Sequence, residues 1–132
     1  MRRGRSLRWM AALAVLATMA GAGAGGADAD PAVRPPEQRQ ALLDLAYTLG
    51  RAHALHRVCA GSADDTWRGR MQKLLEVEAP PDALKTELTN SFNAGFATEE
   101  GRNKDCKTAA GLEADVARRG AELARRLAGA PP

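Results

Sequence analysis

Apolar side chains recur at intervals of three and four residues through most of the chain after residue 36. This spacing is typical of amphipathic helices, and no strand-like alternation of apolar and polar residues occurs. Gly61, the Pro80-Pro81 pair and the polar stretch around Gly101 interrupt the pattern, because glycine and proline end helices. The pattern therefore predicts four helices: about Glu37 to Cys59, about Asp65 to Glu78, a third capped by Asp82, and a fourth capped by Thr108 that includes Leu127.

Short connections between four helices predict an all-α fold, a small up-down bundle. In that order the first and third helices run in the same direction, so their C-terminal ends lie together. Cys59 ends the first helix, and Cys106 ends the third if that helix continues through the polar stretch TEEGRNKD. The alternative is a break of the third helix near Gly101. We therefore expect a disulfide between helices one and three.

The N-terminus has the three parts of a Sec-type signal peptide. Basic MRRGRSLR precedes a short apolar run, WMAALAVLATMAGAGAGG, and small residues follow it. The run is short and weakly apolar for a membrane span, which needs about 20 residues. We expect a signal peptide over residues 1–29, with cleavage after Ala24 or Ala29. A Pro-rich linker (30–36), the helical domain (37–128) and a tail (129–132) complete the predicted organisation.

Export would place the two cysteines in an oxidising compartment, the periplasm, where two cysteines of one chain usually form a disulfide. Cys59 and Cys106 enclose a long loop, so the chain-entropy model predicts about 4 kcal/mol of stabilisation. A domain this small would gain much from such a bond.

Charge and motifs narrow the classes of function. The chain has 19 Lys plus Arg against 16 Asp plus Glu, but loss of the signal peptide removes four arginines and leaves a net charge near zero. A neutral domain lacks the electrostatic footprint of a nucleic-acid-binding protein. The sequence has no phosphate-binding glycine loop, no HExxH and no CxxCH, so we assign no catalytic residue, metal or cofactor.

Two histidines lie close to the first cysteine in the stretch HALHRVC, residues 53 to 59. Helical phase puts His53 and His56 on the same side as Leu42, Leu45 and Leu49, facing inward. One interpretation is a pair of core histidines satisfied by hydrogen bonds. The other is a metal or ligand site, although a disulfide removes the Cys59 sulfur as a ligand.

The third helix carries polar partners for these histidines. If it continues to Cys106 and runs parallel to the first helix, His53 approaches Glu99 and His56 approaches Asn103. This arrangement predicts a polar cluster beneath the disulfide. If the helix breaks near Gly101, these groups are solvated instead.

The stretch WRGRM, residues 67 to 71, is a second feature of interest. Trp67 and Met71 lie one turn apart and face the predicted core, and Arg70 flanks them. Arg70 can hold a carboxylate through two hydrogen bonds, either from a neighbouring helix or from a partner. Gly69 suggests a close helix crossing, because glycine otherwise weakens a helix by about 1 kcal/mol relative to alanine.

Several of these motifs occur together in a known family. They are Leu49-Gly50-x-x-His53-x-Leu55, Cys59, Trp67-Arg68-x-Arg70-Met71, Phe92-Asn93-x-Gly95-Phe96 and Cys106. With them, the chain resembles an uncharacterised group of alphaproteobacterial exported proteins, classed as a domain of unknown function. The resemblance covers about residues 37–127. It implies an exported, disulfide-linked helical domain without an assigned activity.

The sequence thus predicts a small periplasmic helical module that serves for binding, as an adaptor or as a structural element. We expect an envelope protein as its partner and no stable membrane span after cleavage. The alternative is a protein that binds a small ligand or metal through His53, His56 and Glu99. An enzyme is the third interpretation.

Overall fold

The computed structural model describes residues 34–129. This part of the chain is all-helical and contains no strand. The predicted signal peptide, most of the predicted linker and the last three residues lie outside the described residues. The helices are α1 (Pro36–Ala60), α2 (Thr66–Glu78), α3 (Asp82–Glu99) and α4 (Cys106–Leu127).

Proline and glycine set most of the helix ends, as the sequence predicts. Pro36 begins α1, where its missing N–H is not needed, and Gly61 ends it with a positive φ of 97°. Asp64 accepts a hydrogen bond from the backbone N–H of Thr66 at the start of α2. Ala79 caps the C-terminal end of α2, and Pro80 follows it. The predicted bounds of α1 and α2 therefore agree with the structure to within one residue.

The third helix ends at Glu99 and does not continue to Cys106. Gly101 has a positive φ of 74°, a conformation that glycine adopts without steric cost. Asp105 then caps α4 by accepting hydrogen bonds from the N–H and hydroxyl of Thr108. Thr108, the predicted cap of this helix, instead lies inside its first turn.

This break changes which helices the cysteines connect. The sulfur atoms of Cys59 and Cys106 are 2.13 Å apart, at disulfide distance. Cys59 lies in the last turn of α1, but Cys106 is the first residue of α4. The expectation that a disulfide joins helices one and three is therefore wrong, and the pair connects helices one and four. The physical reason is that Gly101 and Asp105 favour a new helix start over continuation of α3.

Helix α1 is the centre of the fold and packs against each of the other three helices. Its central turns are buried on most sides, and Ala46, Ala52 and Leu55 are completely inaccessible. Each remaining helix contributes a narrower apolar stripe. The buried apolar side chains of these stripes are Trp67 and Met71 of α2, Leu88 and Phe92 of α3, and Ala109, Val116 and Leu123 of α4.

Two glycines bring α1 and α3 into backbone contact. A Cβ atom placed on Gly50 would lie 1.9 Å from the carbonyl oxygen of Phe92. A Cβ on Gly95 would lie 1.9 Å from the carbonyl oxygen of Tyr47. Gly69 has no neighbouring atom within 4 Å, so the close crossing predicted there is located instead at Gly50 and Gly95. No helix within residues 34–129 combines the length and apolar character that a membrane crossing requires.

Candidate functional site

His53 is buried in an aromatic environment. Its side chain is 1% exposed, and its ring centroid lies 5.8 Å from that of Phe92 and 5.4 Å from that of Phe96. Among residues 34–129, neither ring nitrogen has a hydrogen-bond partner. Burial lowers the pKa of His53 below its usual 6.5, and the positive charges of Arg68 and Arg57 lower it further. His53 is therefore held neutral in the folded protein.

Glu99 is also buried, but its partners differ from those expected. Its carboxylate accepts hydrogen bonds from Nε and Nη2 of Arg51, at 2.8 and 2.5 Å. Asn103 donates to the other oxygen at 3.3 Å. The structure thus brings Glu99 and Asn103 together. Within residues 34–129, no hydrogen bond joins either of them to His53.

His56 turns away from α3 and contacts α4. Its Nδ1 lies 2.8 Å from Oε1 of Glu113, and its Nε2 lies 3.4 Å from Oδ1 of Asp64. The indole Nε1 of Trp67 donates to the same Glu113 oxygen at 2.8 Å. One partly buried carboxylate therefore links α1 to α2 and α4, and the expected pairing of His56 with Asn103 is not formed.

Glu113 is the residue that the sequence analysis missed. Its sequence position suggests a solvated, charge-balanced face of α4. One signal could have revealed it: Glu113 lies three residues before Val116, whose side chain is buried, and this spacing puts both on one side of a helix. Hydrogen bonds from the N–H and hydroxyl of Thr66 lower the pKa of Asp64, and His56 adds to this shift. Asp64 thus remains an anion beside the imidazole.

The guanidinium of Arg70 lies over the ring of Trp67 on its own helix. Its guanidinium carbon is 4.2 Å from the ring centroid of Trp67, a cation–π arrangement. No carboxylate within residues 34–129 lies at ion-pair distance from it, whereas the neighbouring Lys73 contacts Glu76 at 3.3 Å. Arg70 therefore keeps its hydrogen-bond donors available at the surface.

An apolar groove of about 350 Å³ lies beside Arg70, between α2 and α4. Leu45 and Leu49 of α1 form its floor. We call it the α2–α4 groove; its α2 wall contains Trp67, Arg70, Lys73, Leu74 and Val77, and its α4 wall contains Ala117, Gly120, Ala121 and Ala124. A cavity of this size is in the range of ligand and peptide sites. Val77 at its edge is 69% exposed.

The structure thus separates the predicted polar cluster into three parts. His53 is isolated among aromatic rings, Glu99 and Asn103 are joined to Arg51, and His56 contacts Glu113. Within the described part of the chain, no group of three or more His, Cys, Asp or Glu side chains is placed to hold a metal ion.

Comparison with known proteins gives one match. A family model described as "Protein of unknown function (DUF2385)" matches residues 37–130. No curated protein and no solved structure matches the chain. The resemblance to a domain of unknown function is confirmed, while the alphaproteobacterial grouping and its motifs stay predictions.

Proposed function

The chain belongs to the DUF2385 family of proteins of unknown function, and we propose that it is an exported helical module that binds a partner protein. The binding surface in this proposal is the α2–α4 groove. Its occupant is an amphipathic helix of an envelope protein that carries an acidic side chain. The observation that carries the proposal is an open apolar groove with Arg70 at its rim, an arginine that has no carboxylate partner within residues 34–129.

The shape of the groove suits a helix. On α4, Ala117, Gly120, Ala121 and Ala124 recur at intervals of three, one and three residues, so one side of this helix bears only small side chains. Small side chains let a second helix approach closely, and the leucines of the floor offer apolar contacts along it. Helices that bind in grooves use apolar anchors at such intervals.

Charge decides which helices suit the groove. Arg70 and Lys73 lie on the same rim, and Arg70 has no carboxylate partner among the described residues. An acidic side chain on the incoming helix would pair with Arg70 through two hydrogen bonds. Docking would also cover Val77, which is the large apolar side chain most exposed within residues 34–129.

Export of the module is supported by two observations. The N-terminal sequence has the order of a signal peptide, and the cysteines are at disulfide distance, which is typical of oxidising compartments. The contacts also favour the up-down order of helices. Arg39 contacts Glu87 and Arg51 contacts Glu99, as in parallel α1 and α3. The pairing of Cys59 with Cys106 suits antiparallel α1 and α4.

Site-specific crosslinking in intact cell envelopes tests the proposal. A photo-reactive phenylalanine replaces Val77 at the groove, and the same residue replaces Thr89, exposed on α3, as the matched control. We expect position 77 alone to capture one protein repeatedly. Mass spectrometry should place the adduct on an amphipathic helix containing Asp or Glu.

Reversal of the charge at Arg70 distinguishes specific binding in the groove from non-specific crosslinking at position 77. Arg70→Glu should abolish the adduct at position 77, because it places like charges opposite each other, and a peptide of the captured helix should then bind wild-type protein but not R70E. Equal capture at positions 77 and 89, or an adduct that persists in R70E, would contradict the proposal.

A further inference from the structure

The buried polar side-chain atoms that lack a partner are concentrated at one place. Within residues 34–129 they are Nδ1 and Nε2 of His53 and Nε of Arg57. These two residues are one turn apart on α1, and both lie against Phe96. The ring centroid of His53 is 5.4 Å from that of Phe96, and the Arg57 guanidinium carbon is also 5.4 Å from it. Since most buried polar groups in proteins are paired, the unpaired Nε of Arg57, a residue that lines a cavity, points to a ligand site. His53 does not line that cavity.

A cavity of about 340 Å³ opens beside Arg57. It lies between the last turns of α1 and the connection from α3 to α4. We call it the Arg57 cavity. Its polar lining residues are Arg57, Ser62, Asn103, Lys104 and Glu100. Phe96 and Val58 supply apolar surface next to them.

Arg57 differs from the other arginines of α1 in its ionic contacts. Among the described residues, no carboxylate lies within ion-pair distance of its guanidinium, whereas Arg51 and Arg39 on the same helix pair with Glu99 and Glu87. Lys104 likewise forms no ion pair in this part of the chain. Two cations thus line the cavity against one carboxylate, Glu100.

We propose that the Arg57 cavity binds a small oxyanion, a carboxylate or phosphate group. The guanidinium of Arg57 would hold two of its oxygens, because its planar donors match that geometry. Lys104 adds a second positive charge, and the Ser62 hydroxyl is a further donor. Phe96 and Val58 accommodate an apolar part of the ligand. This site is separate from the α2–α4 groove and does not depend on the function proposed for it.

Titration of the oxidised full chain, followed by ¹H–¹⁵N NMR of arginine Nε–H groups, tests the proposal. Sodium acetate and inorganic phosphate are the two probes, and sodium chloride at matched ionic strength is the reference. We expect a saturable shift of the Arg57 Nε–H signal, together with the amides of Asn103 and Lys104. Response to acetate alone identifies a carboxylate ligand, response to phosphate alone identifies a phosphate ligand, and either supports the site.

Three variants make the result decisive. Arg57→Gln and Lys104→Gln should each weaken binding by roughly tenfold or more, since each removes a charged donor. Arg102 lies in the same connection as Lys104 but does not line the cavity. The Arg102→Gln variant should therefore bind the probes with an affinity within about twofold of wild type. Shifts that equal those in sodium chloride overturn the proposal. If R57Q does not fold, unchanged affinity in K104Q overturns it.

Discussion

At the scale of the residue, the described part of the chain shows two contrasting histidines. His53 is buried without a hydrogen bond, whereas His56 lies between two carboxylates. An unpaired buried polar group costs about 1–3 kcal/mol, so His53 lowers the free energy of unfolding relative to a paired side chain. His56 and Trp67 share one oxygen of Glu113, an arrangement that stabilises the contact of three helices.

The lowered pKa of His53 predicts a loss of stability in mild acid. The unfolded chain takes up a proton at this residue near pH 6.5, while the folded protein resists it. The free energy of unfolding is therefore unaffected by His53 above pH 6.5 and falls as the pH decreases below that value. For one such residue the slope reaches about 1.4 kcal/mol per pH unit.

Urea denaturation between pH 7.5 and 5 measures this effect. His53→Leu should lose less stability than wild type over that range, because it has no group to protonate. The matched comparison is Lys107→Leu, an exposed substitution that also removes a titratable group. Identical pH dependence in wild type and H53L would show that His53 titrates normally in the folded state.

At the scale of the element, the crossing of α1 and α3 is a backbone contact at two glycines, Gly50 and Gly95. The backbones approach so closely that a single methyl group at either position meets a carbonyl oxygen at 1.9 Å. The obstacle is backbone, so no side-chain rotation can relieve it. The phenylalanines of α3 lie on each side of this contact and cover His53.

Gly95→Ala should therefore destabilise the protein by about 1–3 kcal/mol or more, the usual cost of overpacking. Gly69→Ala makes the same chemical change in α2, where nothing lies within 4 Å. It should stabilise the protein by up to about 1 kcal/mol, because alanine is the better helix former. Thermal and urea unfolding of both variants measure these changes. An equal change in the free energy of unfolding in G95A and G69A would contradict the close approach of α1 and α3.

At the scale of the whole molecule, the central helix α1 packs against the three other helices. Its contact with α2 is less extensive than its contacts with α3 and α4. This unequal packing leaves the α2–α4 groove open over the leucines of α1. At the other end of α1, the pairing of Cys59 with Cys106 holds the start of α4 and the adjoining connection against the Arg57 cavity.

Export makes a prediction about the whole chain. When it is produced in a bacterium with its own N-terminus, the soluble periplasmic fraction should contain protein cleaved after Ala24 or Ala29. Without reductant its mass should lack the two thiol hydrogens, because Cys59 and Cys106 are oxidised there.

Intact mass spectrometry of fractionated cells measures both features. Leu13→Arg with Leu16→Arg breaks the apolar run and should leave the uncleaved chain in the cytoplasm with free thiols. Uncleaved wild-type protein in the cytoplasm would contradict export.

The helices themselves follow from local patterns, because periodic apolar residues, proline and glycine act within a few positions along the chain. For that reason the bounds of α1 and α2 were predictable, and so was the pairing of the two cysteines in space. Which helices the cysteines join was not predictable from the sequence. The sequence allows α3 either to continue to Cys106 or to end before Gly101, and the second occurs because Gly101 adopts a positive φ and Asp105 caps a new helix. The partners of His56 and Glu99 required the tertiary structure, because the sequence pattern places Glu113 on a solvated face of α4 and does not indicate that Arg51 pairs with Glu99. Contacts between helices depend on their relative rotation and separation, and here the close approach at Gly50 and Gly95 decides both for α1 and α3.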